Sequence, residues 1–198
     1  MSPVAGVVLA AGASTRMGRN KLFLVLEGET ILRRAVSRAI AAGLDPVVVI
    51  LGHEAEHAER ELAGLRCRPV VNADYALGQG TSLCTGIAAL PEAAAAAVVL
   101  LADMPFVTIA MIERTVDCWR QSGAPLVTSE YEGIQAPPTL YARSLFAELG
   151  TVSGEGCAKH LVRRHRAEAA VLPWPADALA DLDAPEDLAR AEARIAAV

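Results

Sequence analysis

The sequence predicts an α/β sandwich with a mostly parallel central sheet. Short apolar runs alternate with amphipathic segments along most of the 198 residues. Several runs are apolar at every position, which is typical of strands with helices on both faces. The predicted strands cover residues 4–9, 46–51, 66–71, 97–102 and 125–128, and the core is expected to resume near 169–172.

The first amphipathic segment predicts a helix that begins after Thr30, a favourable N-cap, and ends at Gly43. One face is apolar and the other is polar, the latter consisting of Arg33, Arg34, Ser37 and Arg38. Similar stripes over 55–65 and 188–198 predict further helices. The strand–helix alternation therefore favours parallel pairing.

The pattern changes after residue 128. The segment 129–168 carries turn residues, two adjacent prolines and two short helical stretches. These features indicate an insertion or cap rather than another β–α–β unit. With no repeats and no long linker, we expect a single domain over residues 1–198.

Composition excludes several classes of protein. A net charge of −5 argues against a nucleic-acid-binding surface. The four cysteines are scattered without a CxxC pair, which disfavours zinc and disulfide scaffolds. No signal peptide and no apolar run of membrane-spanning length is visible. We therefore expect a cytoplasmic protein with neither membrane nor nucleic-acid partners.

Positive charge is concentrated after the first strand, in "LAAGASTRMGRNK" at residues 9–21. Gly12 and Gly18 allow the backbone to approach a ligand, while Arg16 and Lys21 suit phosphate oxygens. The spacing matches neither GxxxxGK[ST] nor GxGxxG. The loop is interpreted as a polyphosphate site, the alternative being a surface loop with solvated charges.

Carboxylates follow two other apolar segments. Asp103 ends the strand "VVLLA", where an unpaired charge is costly, and Mg²⁺ is commonly held by one or two carboxylates with phosphates. Thr108 is the better N-cap for the following helix. In "DLDAPEDL", Asp181 and Asp183 are weaker candidates, because Asp183 with Glu186 also forms a capping box.

The segment "NADYALGQGTSLCTG" at 72–86 places Gly80 and Ser82 after the third predicted strand. Ser82 is expected to start a helix, either as an ordinary N-cap or as a ligand contact.

The stretch "LAAGASTRMGRNKL" resembles LAAGxSxRMGxxK, the signature of the nucleotidyltransferase superfamily. The resemblance implies a Rossmann-like three-layer sandwich in which Arg16 and Lys21 are catalytic residues on the phosphates. It implies that Asp103 is catalytic and, with Asp183, binds Mg²⁺. The nucleotide-binding residues it implies are Leu9, Ala10, Ala11, Gly12, Arg16, Lys21, Gly80 and Ser82.

Length and spacing resemble molybdenum cofactor cytidylyltransferases and MobA-like NTP transferases. Guanylyl-transferring members have LAGG where this chain has Ala11, which favours CTP. The resemblance makes 129–168 an acceptor-side insertion and gives Pro138, Lys159 and Asp181 as acceptor-binding candidates. The sequence departs from the family at 136–138, where Ala-Pro-Pro replaces Gly-His-Pro, and at 155, 157 and 159.

The function that this resemblance implies is transfer of CMP from CTP to the terminal phosphate of molybdopterin, releasing pyrophosphate. A molybdenum hydroxylase or its maturation chaperone is an expected partner. Two alternatives stay open. One is the same chemistry with another phosphorylated acceptor or another NTP. The other is a non-catalytic nucleotide-binding regulatory or scaffold protein.

Overall fold

The structure, a computed structural model, describes residues 2–13, 20–151 and 157–179, with the backbone alone at Cys157. Its strands are β1 (Val4–Ala10), β2 (Val25–Leu26), β3 (Glu29–Thr30), β4 (Val47–Leu51), β5 (Arg68–Val71), β6 (Ala96–Leu101), β7 (Leu126–Tyr131), β8 (Ile134–Ala142) and β9 (Ala169–Trp174). Its α-helices are α1 (Ile31–Ala41), α2 (Ala55–Glu61), α3 (Gln79–Ala88), α4 (Ile109–Ser122), α5 (Phe146–Leu149) and α6 (Cys157–Arg164).

Seven strands form the central sheet in the order β5-β4-β1-β6-β8-β7-β9. Strand β8 pairs antiparallel with β6 and β7, and the other pairings are parallel. In the centre of the sheet Val7 lies opposite Val48 on one side and Val99 on the other. The predicted fold class is therefore confirmed, with the single antiparallel strand placed inside the sheet.

Two apolar cores cover the two faces of this sheet. Val8 belongs to the core formed with α1, α2 and α4, whereas Val7 belongs to the core formed with α3, α5 and α6. Strand β1 is buried at every residue. Because successive strand residues point to opposite faces, a strand buried on both sides must be apolar throughout. This is the pattern that the sequence shows.

The sequence analysis did not predict β8, the nine-residue strand within segment 129–168. Its two prolines cannot donate backbone hydrogen bonds, but their carbonyls still accept. Ser129 Oγ donates to Pro138 O at 2.8 Å, and Tyr131 OH donates to Pro137 O at 2.7 Å. Trp174 Nε1 in turn donates to Ser129 Oγ at 2.9 Å. Side chains from β7 and β9 thus secure a strand that prolines would otherwise weaken.

Helix α1 begins and ends as predicted. Thr30 Oγ1 accepts a hydrogen bond from the N–H of Arg33 at 3.3 Å, and Gly43 follows the helix with φ +76°. The polar face of α1 is more engaged than the sequence suggested. Arg33 Nη1 donates to the carbonyls of Glu61 at 2.7 Å and Ala63 at 3.1 Å, so it ties α1 to the end of α2.

Within the described ranges, none of the helices has the length and apolar character needed to cross a bilayer. The cytoplasmic location stays a prediction from the sequence.

An ion cluster joins α5 to the end of α6. His165 Nε2 lies 2.8 Å from Glu148 Oε2, and Arg164 pairs with the other carboxylate oxygen. The hydrogen bond from His165, supported by the charge of Arg164, holds the pKa of the Glu148 carboxyl below its usual range, although burial acts the other way. The cluster therefore favours the ionised carboxylate.

Replacing Glu148 should have a pH-dependent effect on stability. Because the folded protein lowers this pKa, the stabilisation is present above the unfolded value of about 4.3 and is lost as pH falls through the folded value. Wild type should resist urea better than Glu148→Gln at pH 7, and the two unfolding midpoints should converge as the pH falls below the unfolded value. An equal difference at pH 7 and pH 3 would contradict this assignment.

Candidate active site

The carboxyl ends of β1 and β6, the loops after β1 and β5 and the start of α3 line a cavity of about 170 Å³, here called the first cavity. In the sheet, β6 is one neighbour of β1, and β4 lies between β1 and β5. The carboxyl edge of a parallel sheet is where ligands bind in open α/β folds. The lining residues are Leu9, Ala10, Ala11, Gly12, Lys21, Leu22, Tyr75, Gln79, Ser82, Leu101 and Asp103.

A charged pair lies at the β6 end of the first cavity. Lys21 Nζ is 2.7 Å from Asp103 Oδ2, and their side chains are 14% and 26% exposed. Lys21 begins a short 3-10 helix that Asn20 caps, since Asn20 Oδ1 accepts from the N–H of Leu22 at 3.1 Å. Two residues distant in sequence thus bring opposite charges to one wall of the cavity.

Close backbone packing holds the loops after β1, β4 and β5 together. A Cβ atom on Gly52 would lie 2.6 Å from Tyr75 Cγ and 2.7 Å from Ala11 O. The N–H of His53 donates to the same Ala11 oxygen at 3.3 Å. Only glycine fits at position 52 without moving Tyr75 or Ala11, both of which line the cavity.

A buried amide organises the β5 end of the first cavity. Asn72 is 4% exposed, and its Nδ2 donates to Ser82 Oγ at 3.0 Å and Thr81 Oγ1 at 2.9 Å. Its Oδ1 accepts from the N–H of Asp74 at 3.0 Å. The amide therefore joins the loop after β5 to the first turns of α3, where Ser82 faces the cavity.

Arg38 on α1 supports the loop that carries Asp103. Its Nη1 donates to the carbonyls of Pro105 and Val107, the latter at 2.8 Å. Burial, and next the charge of Arg34, lower the pKa of Arg38 to about 10, so that the guanidinium remains charged at neutral pH. Charged donors make the stronger hydrogen bonds, and here they fix the backbone just after Asp103.

Asp103 suits a divalent cation that is shared with a ligand's phosphates. Its carboxylate is partly exposed in the cavity wall, and Mg²⁺ is commonly held by one or two carboxylates with phosphates and water. Over residues 2–13, 20–151 and 157–179, no three His, Cys, Asp or Glu side chains gather into a metal-binding group. The Asp103 carboxylate thus fits a metal that is bound together with a polyphosphate.

A second cavity of about 520 Å³ adjoins the first, with which it shares Leu9, Gln79 and Leu101. It lies between α3, α6 and the β7–β8 hairpin, and its walls are largely apolar. Lys159 supplies a positive charge at its rim. The remaining lining residues are Gly80, Leu83, Val99, Thr128, Ile134, Gln135, Ala136, Pro137, Thr139, Tyr141, Ala158, Val162 and Leu179.

The family model of the MobA-like NTP transferase domain matches residues 6–169, which include the whole lining of the first cavity and all but Leu179 of the second. The chain belongs to this family. The MobA-like domain is a nucleotidyltransferase fold, and its match runs from within β1 to the first residue of β9. The chain therefore has a nucleotidyltransferase fold, and its first cavity lies at the carboxyl edge of the sheet.

Several proteins resemble the chain along its length. It is 31% identical over 194 residues to the purine catabolism protein PucB of Bacillus subtilis, covering 92% of each chain. The crystal structure of Rv0371c from Mycobacterium tuberculosis has a TM-score of 0.87 and 28% identity, covering 97% of this chain and 98% of that one. A manganese complex of Rv0371c has a TM-score of 0.82 at 27% identity, covering 96% and 98%.

A shorter match is to a probable molybdenum cofactor guanylyltransferase of Opitutus terrae. It is 39% identical over 114 residues, 55% of this chain and 52% of that protein. The relatives thus include a guanylyltransferase, and the cytidylyl preference inferred from Ala11 stays a prediction.

The MobA-like fold brings most of the predicted nucleotide residues to one place. Residues 9–12, Lys21, Ser82 and Asp103 all line the first cavity. Gly80 lines the second cavity instead. Arg16, Asp181 and Asp183 lie outside the described residues.

The expectation that Ser82 starts a helix is wrong. Helix α3 begins at Gln79, so Ser82 lies within its first turn and accepts from Asn72 rather than capping the helix. The glycine-containing stretch "LGQG" gives no local indication that the helix begins as early as Gln79.

The predicted acceptor residues differ in placement. Lys159 lines the second cavity. Pro138 is not among its described lining residues; Pro137 is, while the Pro138 carbonyl accepts from Ser129.

Sequence reasoning missed Asn72 and Tyr75 in the loop after β5, Gln79 at the start of α3, and Arg38 on α1. A signal existed for Asn72, which directly follows an apolar strand as Asp103 does. No local signal distinguishes Arg38 from its neighbours, because its partners lie 67 and 69 residues away.

Arg38→Met should lower turnover more than nucleotide binding. Methionine keeps much of the apolar stem but leaves two carbonyls without their donor, at a cost of about 1–3 kcal/mol in unfolding free energy. Because the freed loop carries Asp103, we expect kcat for pyrophosphate release to fall at least about tenfold. The nucleotide KM should change much less, as measured by steady-state kinetics.

Arg33→Met is the matched control, since Arg33 secures the end of α2 by similar bonds from the same helix. It should cost comparable stability and leave kcat near wild type. Equal losses of kcat in both variants would assign Arg38 a purely structural role.

Proposed function

We propose that the protein transfers CMP from CTP to the terminal phosphate of a molybdopterin-type cofactor, with release of pyrophosphate and with Mg²⁺. The observation that carries the proposal is the Lys21–Asp103 pair in the wall of the first cavity. A cation for phosphates and a carboxylate for a metal are thus adjacent at the carboxyl edge of the sheet.

In this reaction an oxygen of the acceptor phosphate attacks the α-phosphorus of CTP. The bond from the α-phosphorus to the oxygen bridging to the β-phosphorus breaks, and pyrophosphate leaves with that electron pair. Lys21, together with Arg16 as expected from the sequence, offsets the charge that grows on the leaving group. No covalent enzyme intermediate is required, so the contribution of the protein is positioning and charge stabilisation.

Asp103 would hold the divalent cation, with Asp183 as a second candidate from the sequence. The bound metal would neutralise phosphate charge and orient the phosphates. The manganese complex of Rv0371c supports a divalent cation in a related protein, and Mg²⁺ is the proposed ion here. The described residues contribute the carboxylate and the adjoining ammonium.

The second cavity supports an acceptor site beside the nucleotide site. It shares walls with the first cavity, and Lys159, which lines it, would meet an acceptor phosphate. We propose one domain over residues 1–198 in which 129–168 is an acceptor-side insertion, because β8 and α6 both line this cavity. Pro138 would act through backbone shape, and Asp181 is proposed from the sequence alone.

A molybdenum hydroxylase or its maturation chaperone would receive the product. This partner follows from the proposed acceptor and has no separate support in the described surface.

The direct test is pyrophosphate release with Mg²⁺, molybdenum-loaded molybdopterin and each of CTP, GTP, ATP and UTP in turn. Release with CTP, and at least tenfold less with the other three, would support the proposal. Release with GTP instead would overturn the cytidylyl assignment. If no pyrophosphate is released with any of the four nucleotides, using cofactor that another enzyme accepts, the acceptor assignment is overturned.

A different phosphorylated acceptor is the second candidate, and a specific observation favours it. Ala136, Pro137 and Pro138 stand where many cofactor cytidylyltransferases have Gly-His-Pro, and Ala136 and Pro137 line the acceptor cavity. The same assay with sugar phosphates in place of molybdopterin distinguishes the two candidates.

A further inference from the structure

We infer that His57 is a positioning residue for Lys21, because its imidazole ring holds the short helix from which Lys21 reaches Asp103. The inference deepens the proposed function and rests on it, since Lys21 is assigned there to the leaving pyrophosphate. His57 lies on α2 and contacts Phe23, and neither residue is among the described residues that line the first cavity. The charged pair in that cavity thus depends on a contact outside it.

The helix that carries Lys21 is a single 3-10 turn over Lys21–Phe23. It is closed by a hydrogen bond from the N–H of Phe23 to the Asn20 carbonyl at 3.2 Å. A 3-10 helix has about three residues per turn, so the side chains of Lys21, Leu22 and Phe23 point in directions about 120° apart. Each of the three side chains therefore meets a different neighbour.

Contacts in these three directions fix the rotation of the turn about its own axis. Lys21 points toward Asp103, with 2.7 Å between Nζ and Oδ2, and Leu22 is buried in the core that α1 shares. Phe23 stacks on His57, with ring centroids 3.9 Å apart and ring planes at 27°. Because rotation of the turn moves all three side chains together, the stack limits how far the Lys21 ammonium can move.

The imidazole of His57 is itself held, because the start of α2 is anchored to the loop after β1. The chain passes from β4 to α2 through Gly52, which packs so closely that a Cβ atom there would lie 2.7 Å from Ala11 O. In the first turn of α2 the N–H of His57 donates to the Glu54 carbonyl at 3.0 Å, and Ala58 is buried. The Phe23 ring therefore packs on a support that is independent of the chain before Lys21.

The contact between His57 and Glu61 does not supply the same restraint. Glu61 Oε1 lies 3.8 Å from His57 Nε2, which is beyond hydrogen-bonding distance, and both side chains are partly exposed. Exposed ion pairs contribute little to stability, whereas packed aromatic rings favour a defined separation and tilt. The property that position 57 requires is therefore a ring face and not a charge.

The placement of Lys21 can be measured without turnover, because the chain has two lysines, Lys21 and Lys159. Acetylation with limiting acetic anhydride, followed by mass spectrometry of the peptides, gives the rate at Lys21 relative to that at Lys159. In His57→Ala the ammonium should move away from Asp103 more often, and this ratio should rise at least about threefold. His57→Phe keeps a ring against Phe23, so its ratio should match that of wild type.

Turnover should follow the same order. In His57→Ala kcat for pyrophosphate release should fall about tenfold, because a displaced cation meets the leaving group less often. The nucleotide KM should stay within about threefold of wild type, and His57→Phe should restore kcat. Glu61→Gln is the matched control, because it removes the carboxylate beside His57 and leaves the stack in place. It should keep the wild-type labelling ratio and the wild-type kcat.

An unchanged labelling ratio in His57→Ala would overturn the inference. A ratio in His57→Phe as high as that in His57→Ala, or an equal rise in Glu61→Gln, would also overturn it. If His57→Ala does not melt cooperatively, Phe23→Leu removes the other ring of the stack, and a wild-type ratio in that variant overturns the inference. The predicted ratios in a protein that releases no pyrophosphate would support the placement of Lys21 and overturn only the proposed transfer.

Discussion

Lys21→Met should release pyrophosphate about 10²- to 10³-fold more slowly than wild type at saturating nucleotide. Lys21 is 14% exposed beside Asp103, so its ammonium acts where water screens charge weakly. Negative charge increases on the leaving pyrophosphate as the bond to the α-phosphorus breaks. A cation that meets this charge stabilises the transition state more than it stabilises the bound substrate. Removing the cation should therefore lower kcat more than it changes substrate binding.

The control is Arg60→Met, which removes a cation from the exposed side of α2. It should retain wild-type turnover, and both variants should melt cooperatively. A Lys21→Met protein with turnover within threefold of wild type would show that this ammonium does not act on the phosphates.

Asp103→Asn should lower turnover by a similar factor, and it should also change how turnover depends on the metal concentration. Asparagine keeps the size of the side chain but removes the charge, and a neutral amide is a weaker ligand than a carboxylate for Mg²⁺. The Mg²⁺ concentration that gives half-maximal pyrophosphate release should rise at least about tenfold. Titration of Mg²⁺ and Mn²⁺ at fixed CTP measures this change.

Nucleotide affinity without metal separates a metal ligand from a structural partner of Lys21. In EDTA the CTP dissociation constant of Asp103→Asn should equal that of wild type or be lower, since Lys21 is released to the phosphates. Weaker metal-free binding together with an unchanged Mg²⁺ requirement would contradict the assignment.

The strands that could be predicted from the sequence are those that can be recognised from the pattern of their own residues. A buried parallel strand such as β1 is apolar at every residue, because both of its faces pack on helices. Strand β8 was missed because Pro137 and Pro138 disfavour strands by local rules, and the side-chain donors that compensate come from Ser129 and Tyr131. Those donors are recognisable only once the hairpin has formed.

The candidate site also combines features that neighbouring residues reveal with features that arise only when the chain has folded. Lys21 was found in the loop after the first predicted strand, and Asp103 was found at the end of another. Their 2.7 Å contact arises because β1 and β6 are neighbours. Arg38 was assigned only to the polar face of its helix, because helical periodicity cannot show that the loop after β6 lies against it. Ser82 was placed at a helix start, whereas its partner Asn72 is ten residues earlier and meets it only through the turn after β5.

A crystal structure with Mn²⁺ and a non-hydrolysable CTP analogue tests the central claim most directly. The account predicts an anomalous manganese peak in contact with the Asp103 carboxylate and the triphosphate beside Lys21 in the first cavity. Manganese away from Asp103, or the triphosphate in the cavity that Lys159 lines, would contradict it.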